Sequence, residues 1–378
     1  MGIKKNRNKE CHCGSGKKYK HCHLKQEREE PIKIYELDNG LKESYSEKIC
    51  MFSSELHDKC SQKIIKAHTI SKSANLKKIS VDGHVYSFKR SVEGLETNNG
   101  SFPIQKIGVN NASVFNGFCS KHDKELFAVI EDKELIFSDE QVFILTYRTI
   151  ANELYLKYAS QDHNIKAKDY DKGQPLNFSI FYQNLNNGFL KDGLDLAVRD
   201  LRWIKDIFDE KLRNKNFLDI RYYILVIDKT PEILNNTGWI PTYNFDGLSL
   251  ANLDNRQEKF NILNVSTINY NGQGAIVFSW LDVDEMSNSY CIDFIKSFHN
   301  VDNKYKSSAV LQWLLNCAEN IYWSINWWDN LSEEQKNKFS NEYMDVTQGK
   351  ILHTYKRLFG FLDWKVIDIQ TNISNLIV

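Results

Sequence analysis

Residues 10–23 read ECHCGSGKKYKHCH, and the placing of Cys11, Cys13, Cys22 and His23 within that stretch constrains local folding more than any other feature of the chain. Four N or S ligands complete a tetrahedral zinc site, and two short pairs joined by a tight loop supply them with little loss of chain entropy. Gly14 and Gly16 lie between the pairs, where glycine permits the positive φ that returns Cys22 and His23 toward Cys11 and Cys13. A segment of roughly twenty residues cannot bury a core of its own, so it is expected to fold around the ion.

From Asn8 the stretch reads N-x-x-C-x-C-G-S-G-x-K-Y-K-x-C-H, which resembles the SEC-C motif, a small zinc-binding module. The resemblance implies zinc and a docking role, with partners among proteins, ribosomes and nucleic acid, and it implies no catalysis. Lys4, Lys5, Arg7, Lys9, Lys17, Lys18, Lys20 and Lys25 surround the loop, followed by Glu27, Glu29 and Glu30. Such a patch either lies against phosphates or is a solvated surface. The run KQEREEP, ending at Pro31, holds no apolar residue, so residues 1–30 read as a separate knuckle on a linker.

Overall charge adds no partner, because the formal net charge is zero and the pI about 7.1. Any electrostatic signal is therefore local. No apolar run of about 18 residues is present, the N-terminus lacks a signal-peptide stretch, and Asn6 fails the myristoylation pattern despite Gly2. A cytoplasmic protein without membrane contact is expected. In a reducing compartment, cysteines clustered with histidines read as metal ligands rather than disulfides. Cys291 and Cys317 stand apart and are expected in the core.

A second ligand-rich pair of stretches is HDKCSQKIIKAHTISKS from His57 and NGFCSKHDKELF from Asn116. His57 with Cys60, and Cys119 with His122, have zinc-knuckle spacing and are expected to share a second structural zinc, with Cys50 as the alternative to His57. The order of a histidine in an A-H-x-I strand, an asparagine, then C-x-x-H opening a helix resembles the zinc-stapled HNH, or ββα-metal, nucleases. The resemblance implies a metal-dependent endonuclease with nucleic acid, DNA in particular, as substrate, and the architecture of knuckle, nuclease-like unit and a C-terminal domain that senses or recruits would suit bacterial defence. It implies His68 as general base, Asn116 as the residue that orients it or helps hold a metal, and Asp123 as ligand of a catalytic Mg²⁺ or Mn²⁺. Phosphodiester hydrolysis needs such a base and cation, and imidazole titrates near neutrality.

The chain departs from that pattern in two places. Ala67 stands where better-endowed nucleases carry a ligand, and the excursion from His68 to Cys119 is long. Within it, GHVYSFKR alternates like a strand, with His84 as a second site histidine or a strand residue. The competing reading is a non-catalytic zinc adaptor docking on protein or RNA, in which His68 is a satisfied buried histidine.

Downstream, Ser138 and Gln141 form a capping box ahead of Phe143, Tyr147, Ile150, Leu154 and Tyr158 at helical spacing. Residues 160–188 are polar and read as a boundary; a helix over 187–213 follows. RYYILVI at 221–227 and two runs around Asn271-Gly272 predict strands, and late helices start near Ser307 and Ser332. Tyr322, Trp323, Trp327 and Trp328 either stack on a ligand or fill a core. The expected class is α+β, divided as a knuckle (1–30), a zinc-stapled ββα-metal-like unit (31–160) and a mixed domain (161–378).

Overall fold

RYYILVI forms the strand its composition predicts, and its uninterrupted apolar run follows from being covered on both faces. The computed structural model describes residues 7–53, 55, 60–345 and 352–376. Its strands are β1 (Ile64–His68), β2 (His84–Phe88), β3 (Ile104–Gly108), β4 (Val114–Cys119), β5 (Ile220–Ile227), β6 (Ile233–Trp239), β7 (Leu263–Tyr270), β8 (Gln273–Leu281), β9 (Ile321–Trp323) and β10 (Val366–Thr371). An eight-stranded sheet runs in the order β10-β5-β8-β7-β6-β9-β2-β3, and β1 pairs with β4 in a separate two-stranded sheet. Along β5, Tyr223, Leu225 and Ile227 enter one hydrophobic core, while Ile220, Ile224 and Val226 enter another. That is the period-two alternation of a strand buried on both sides.

The principal helices are α1 (Ile34–Ser44), α2 (Ser120–Glu131), α3 (Asp139–Lys166), α4 (Leu176–Asn184), α5 (Lys191–Arg213), α6 (Glu285–His299), α7 (Asn303–Cys317) and α8 (Glu333–Asp345). The first core is filled from α6, α7 and α8 by Phe294, Trp313 and Phe339. The second is filled from α2, α3 and α5 by Phe127, Phe143 and Phe208. The mixed helix and sheet content fits the α+β class. Asn271 and Gly272 join β7 to β8 with φ of 49° and 83°, the paired positive values that a two-residue hairpin turn demands.

Helix α3 begins as the sequence predicts, with Ser138 Oγ accepting the Gln141 N–H at 3.3 Å. The return bond of the box is displaced, because Gln141 Oε1 accepts from Ile136 N at 2.9 Å. Its apolar face is buried as expected, but a second, polar stripe beside it is buried too. There Thr146 Oγ1 meets Ser279 Oγ at 2.7 Å, Asn236 Nδ2 donates to Thr149 Oγ1 at 2.8 Å, and Gly238 N donates to Glu153 Oε1 at 3.1 Å. Gly238 is required at that crossing, since a Cβ would lie 2.6 Å from Ile262 Cγ2 and 3.2 Å from Glu153 Cγ.

Three regions differ from the sequence-based expectation. Residues 160–188 are not an irregular boundary: α3 continues to Lys166, a 3₁₀ turn covers Ala167–Asp169, and α4 passes through a π-helical turn at Leu185–Leu190 into α5. The helix near Ser307 ends at Cys317, and Ile321–Trp323 is a strand joining β6 to β2. Trp323 and Trp328 are core residues, and Tyr322 Oη accepts from Ser113 N at 2.7 Å. Strands from both sides of the division expected at residue 160 share the large sheet. Cys291 is buried, as expected, and Cys317 partly so. Among the described residues no helix is long and apolar enough to cross a membrane.

Burial raises the Glu153 carboxyl from 4.5 to about 7, against Lys157 and with Glu319 pushing the same way. Between those values the native state keeps a proton the unfolded chain has released, so stability falls as pH rises through the window. Glu153→Gln is expected to flatten that slope and to raise the urea midpoint at about pH 8 relative to the parent. Parallel midpoint-against-pH curves for the two proteins would refute it.

Candidate metal centres

The first centre is built on a short two-sided loop. Cys11 N donates to Lys17 O (2.8 Å), Tyr19 N to Lys9 O (2.9 Å) and Lys20 N to Arg7 O (3.0 Å). Gly14 and Gly16 turn the loop at φ of 71° and 70°. The ligand atoms of Cys11, Cys13, Cys22 and His23 all lie within 4.8 Å of one another. His23 Nδ1 is 3.1 Å from Cys11 Sγ and 3.3 Å from Cys22 Sγ, and Cys13 Sγ is 3.6 Å from Cys22 Sγ. Zinc bonds of about 2.3 Å to sulfur and about 2.0 Å to nitrogen imply tetrahedral edges of about 3.5 to 3.8 Å. These three separations fall a little short of or within that range, and the remaining ones stay within 4.8 Å.

The second centre forms at the turn from β4 into α2. Cys119 caps the helix with its sulfur accepting the His122 N–H at 3.4 Å, so C-x-x-H at a strand-to-helix turn brings both side chains to one place. Cys50 arrives along the strand edge: Ile49 N and Met51 N donate to Asn116 O (3.1 Å) and Gly117 O (2.7 Å). Its sulfur then lies 3.4 Å from His122 Nδ1. Cys60 completes the group, again with all four ligand atoms within 4.8 Å. Phe52 covers the His122 ring at a centroid distance of 4.2 Å. His57 lies outside the described residues; Cys50, its alternative, supplies the fourth ligand among them.

The thiols of both centres are unevenly poised. Burial pushes Cys11 and Cys50 each up to about 11. At Cys13 and Cys119 burial is outweighed by hydrogen bonds, chiefly from Ser15 and Ser61, which bring them down to about 7 and about 6. Each centre therefore holds one thiol ready to ionise beside one that a cation must deprotonate.

Residues 7–25 match the family model of the SEC-C motif. No curated protein and no solved structure matches the chain. The SEC-C segment carries a Cys/His cluster able to hold zinc, and it is not the free knuckle its polar flank predicts. Leu176 packs against the cluster of Cys11, Tyr19 and Leu24, Gly173 N donates to Gln26 O at 3.0 Å, Gln26 Nε2 to Asp169 Oδ1 at 3.0 Å, and Lys172 pairs with Glu29 at 2.6 Å. Asp171, Ser179 and Gln183 behind it carried no sequence signal, because isolated polar residues in a polar stretch look like surface.

The residues expected to act on a phosphodiester are placed differently from one another. His68 ends β1, half-buried, with Nε2 3.0 Å from Val109 O, a main-chain group that fixes the tautomer. Burial holds its pKa below the usual 6.5, partly countered by that carbonyl. Asp123 lies in the first turn of α2, where burial raises it to about 6. Both feel the charges of Arg148 and Glu131, which pair at 2.8 Å. Asn116 is used elsewhere, its Nδ2 donating to Ser46 O at 3.1 Å. Exposed His84 bonds Asp82 O through Nδ1 at 2.8 Å. Among the described residues neither His68 nor Asp123 belongs to a group of three or more ligands close enough to share an ion.

Purified protein is expected to hold about two zinc ions, one per centre, and Cys13→Ser and Cys119→Ser about one each. Elemental analysis decides this. A parent value near one removes a centre, and the variant that leaves it unchanged identifies which.

Proposed function

We propose that the chain is a zinc-organised, non-catalytic adaptor that docks single-stranded nucleic acid on the SEC-C segment and the helices that hold it. The supporting observation is a fixed juxtaposition of exposed cations with exposed aromatic rings. Arg7, Lys9, Lys17, Lys18 and Lys25 are exposed, and Glu10 is the one acid within residues 7–25. Asn187 Nδ2 donates to Cys13 O at 3.3 Å, so residues 176–189 are anchored to the same loop. That stretch leaves Phe178 45%, Phe181 64% and Phe189 79% exposed. Nearby carboxylates are largely paired, Glu29 with Lys172, Asp192 with Arg256 and Asp195 with Lys191, which leaves the lysines facing solvent. Phosphates suit those lysines, and any base can stack on an exposed ring without sequence preference.

Fluorescence anisotropy with short RNA and DNA oligonucleotides tests the proposal. Binding is expected to weaken with salt, and Lys17→Gln combined with Lys18→Gln to lower the log–log salt slope by about 1.4, at roughly 0.7 per phosphate contact. Phe181→Ala and Phe189→Ala are each expected to cost about 1–3 kcal/mol if they stack a base. No binding at low salt, or binding indifferent to all four changes, contradicts the proposal. Comparison of the two oligonucleotides assigns the preferred sugar.

A hydrolase is the second reading, and one observation favours it. The antiparallel β1–β4 pair running into α2 sets His68 at a strand end and Asp123 in the following helical turn, the order found in ββα-metal nucleases. The described residues do not fit a Mg²⁺ or Mn²⁺ ion, since no third ligand joins these two. An assay on RNA and on single- and double-stranded DNA with either cation separates the readings. Cleavage lost in His68→Ala, by about 10² to 10⁴ in rate, with zinc content intact, establishes the hydrolase; silence of the parent supports the adaptor.

A further inference from the structure

His23 presents its two ring nitrogens to different chemistry. Nδ1 faces the sulfurs of Cys11 and Cys22 at 3.1 and 3.3 Å, while Nε2 faces Asp171 Oδ2 at 3.2 Å. Both side chains are almost fully buried, at 4% and 0% exposure. Among the described residues Nε2 has no other polar partner, so the Asp171 carboxylate is the group it faces. The carboxylate is otherwise well supplied: Ser179 Oγ donates to Oδ2, and Gln183 Nε2 donates to Oδ1 at 3.0 Å. The Ser179 hydroxyl in turn lies 2.7 Å from His12 Nε2. A chain of polar contacts thus runs from His12 through Ser179 and Asp171 to His23, inside a region with little apolar core of its own.

We propose that Asp171 is the positioning residue of the first zinc centre: it keeps the proton of His23 on Nε2 so that Nδ1 is free to bind the ion, and so joins that ion to α4. A neutral imidazole that ligates through one nitrogen carries its proton on the other, and a buried carboxylate facing that N–H fixes both tautomer and ring orientation. With Nδ1 turned to the sulfurs, the opposite ring nitrogen is the one beside Oδ2. His12, His23 and Asp171 also lie within 4.8 Å of one another, but a second ion there would need His23 to ligate through both nitrogens. The assignment rests on zinc occupying the first centre and is independent of the nucleic-acid reading.

The test is zinc release from the full chain into a chelator, where the two centres give two phases and Cys13→Ser identifies the phase of the SEC-C segment. Asp171→Asn, which keeps the size but removes the charge, is expected to speed that phase by about 10 to 100-fold and leave the other unchanged. Ser179→Ala is expected to act in the same direction by less, and it carries the test if Asp171→Asn does not fold. Long-range ¹H–¹⁵N NMR of the zinc-loaded parent is expected to show His23 metal-bound at Nδ1 and protonated at Nε2. Unchanged release in both variants, or ligation through Nε2, overturns the assignment. A parent whose zinc content Cys13→Ser does not lower overturns instead the zinc reading beneath it.

Discussion

The crossing of α3 over the sheet sets the position of nearly everything else. Thr146, Thr149 and Glu153 lie on one helical stripe and bond to Ser279, Asn236 and Gly238 on strands β8 and β6. Each such bond contributes about 1 kcal/mol net, but leaving one of these groups buried and unpaired costs about 1–3 kcal/mol. A shift of the helix by one turn breaks all three together, so the seam specifies register more than it adds stability. The outer side of the same helix carries the β1–β4–α2 unit. Tyr155 Oη lies 3.0 Å from Tyr45 O and 2.8 Å from Glu47 O, and the Arg148 guanidinium lies 4.0 Å above the Phe127 ring. The approach to the second metal centre is therefore set from the middle of the sheet outward.

The first centre sits where apolar packing is thin, whereas Cys50 and Cys119 of the second belong to the core beneath α3. The cluster beneath the SEC-C loop is Cys11, Tyr19 and Leu24 with a few partly buried neighbours, far too little to hold residues 7–25 by burial alone. In the second, Cys50, Cys60 and the Cys119–His122 turn come from three separate stretches of chain. An ion held at the first centre would add a few strong bonds where many weak contacts are missing, and its binding energy would become folding energy. Nine residues separate Cys50 from Cys60, so an ion at the second centre would close a loop as well as hold a helix end.

What the sequence disclosed follows from how each element is buried. Alternation along β5, the Asn271-Gly272 turn, the Ser138 cap and the local ligand pairs are short-range patterns, and they are legible without knowing the fold. The second buried face of α3 is not, because its contact residues are threonines and a glutamate that look solvent-facing until their partners are known. The same holds for Asp171, Ser179 and Gln183, which turn a polar stretch into the seat of the SEC-C segment. Cys50 escapes spacing rules altogether: main-chain pairing of residues 49–51 with Asn116 and Gly117 delivers it. β9 is hidden because it is three residues long and only three residues separate it from an apolar helix.

A paired β1 and β4 running into α2 do not by themselves make a nuclease, and Arg148 shows why the distinction is physical. Its side chain is 2% exposed, pairs with Glu131 at 2.8 Å and reaches Thr69 O at 3.5 Å, one residue beyond His68. His68 and Asp123 both feel its charge. Two unlike charges about 5 Å apart attract by roughly 3 kcal/mol at an effective dielectric near 20, and like charges repel equally, so a fixed guanidinium disfavours a divalent cation entering the same neighbourhood. A catalytic ion overcomes such repulsion through several converging carboxylates or imidazoles. Ala67 supplies no ligand, Asn116 is turned to Ser46, and Glu131 is engaged by Arg148 itself. The β1–β4 pair and α2 bring Cys119 and His122 into one cluster, while the charge beside His68 and Asp123 is balanced between Arg148 and Glu131. Fold and chemistry separate at that point, which is why the adaptor reading carries more of the geometry than the hydrolase does.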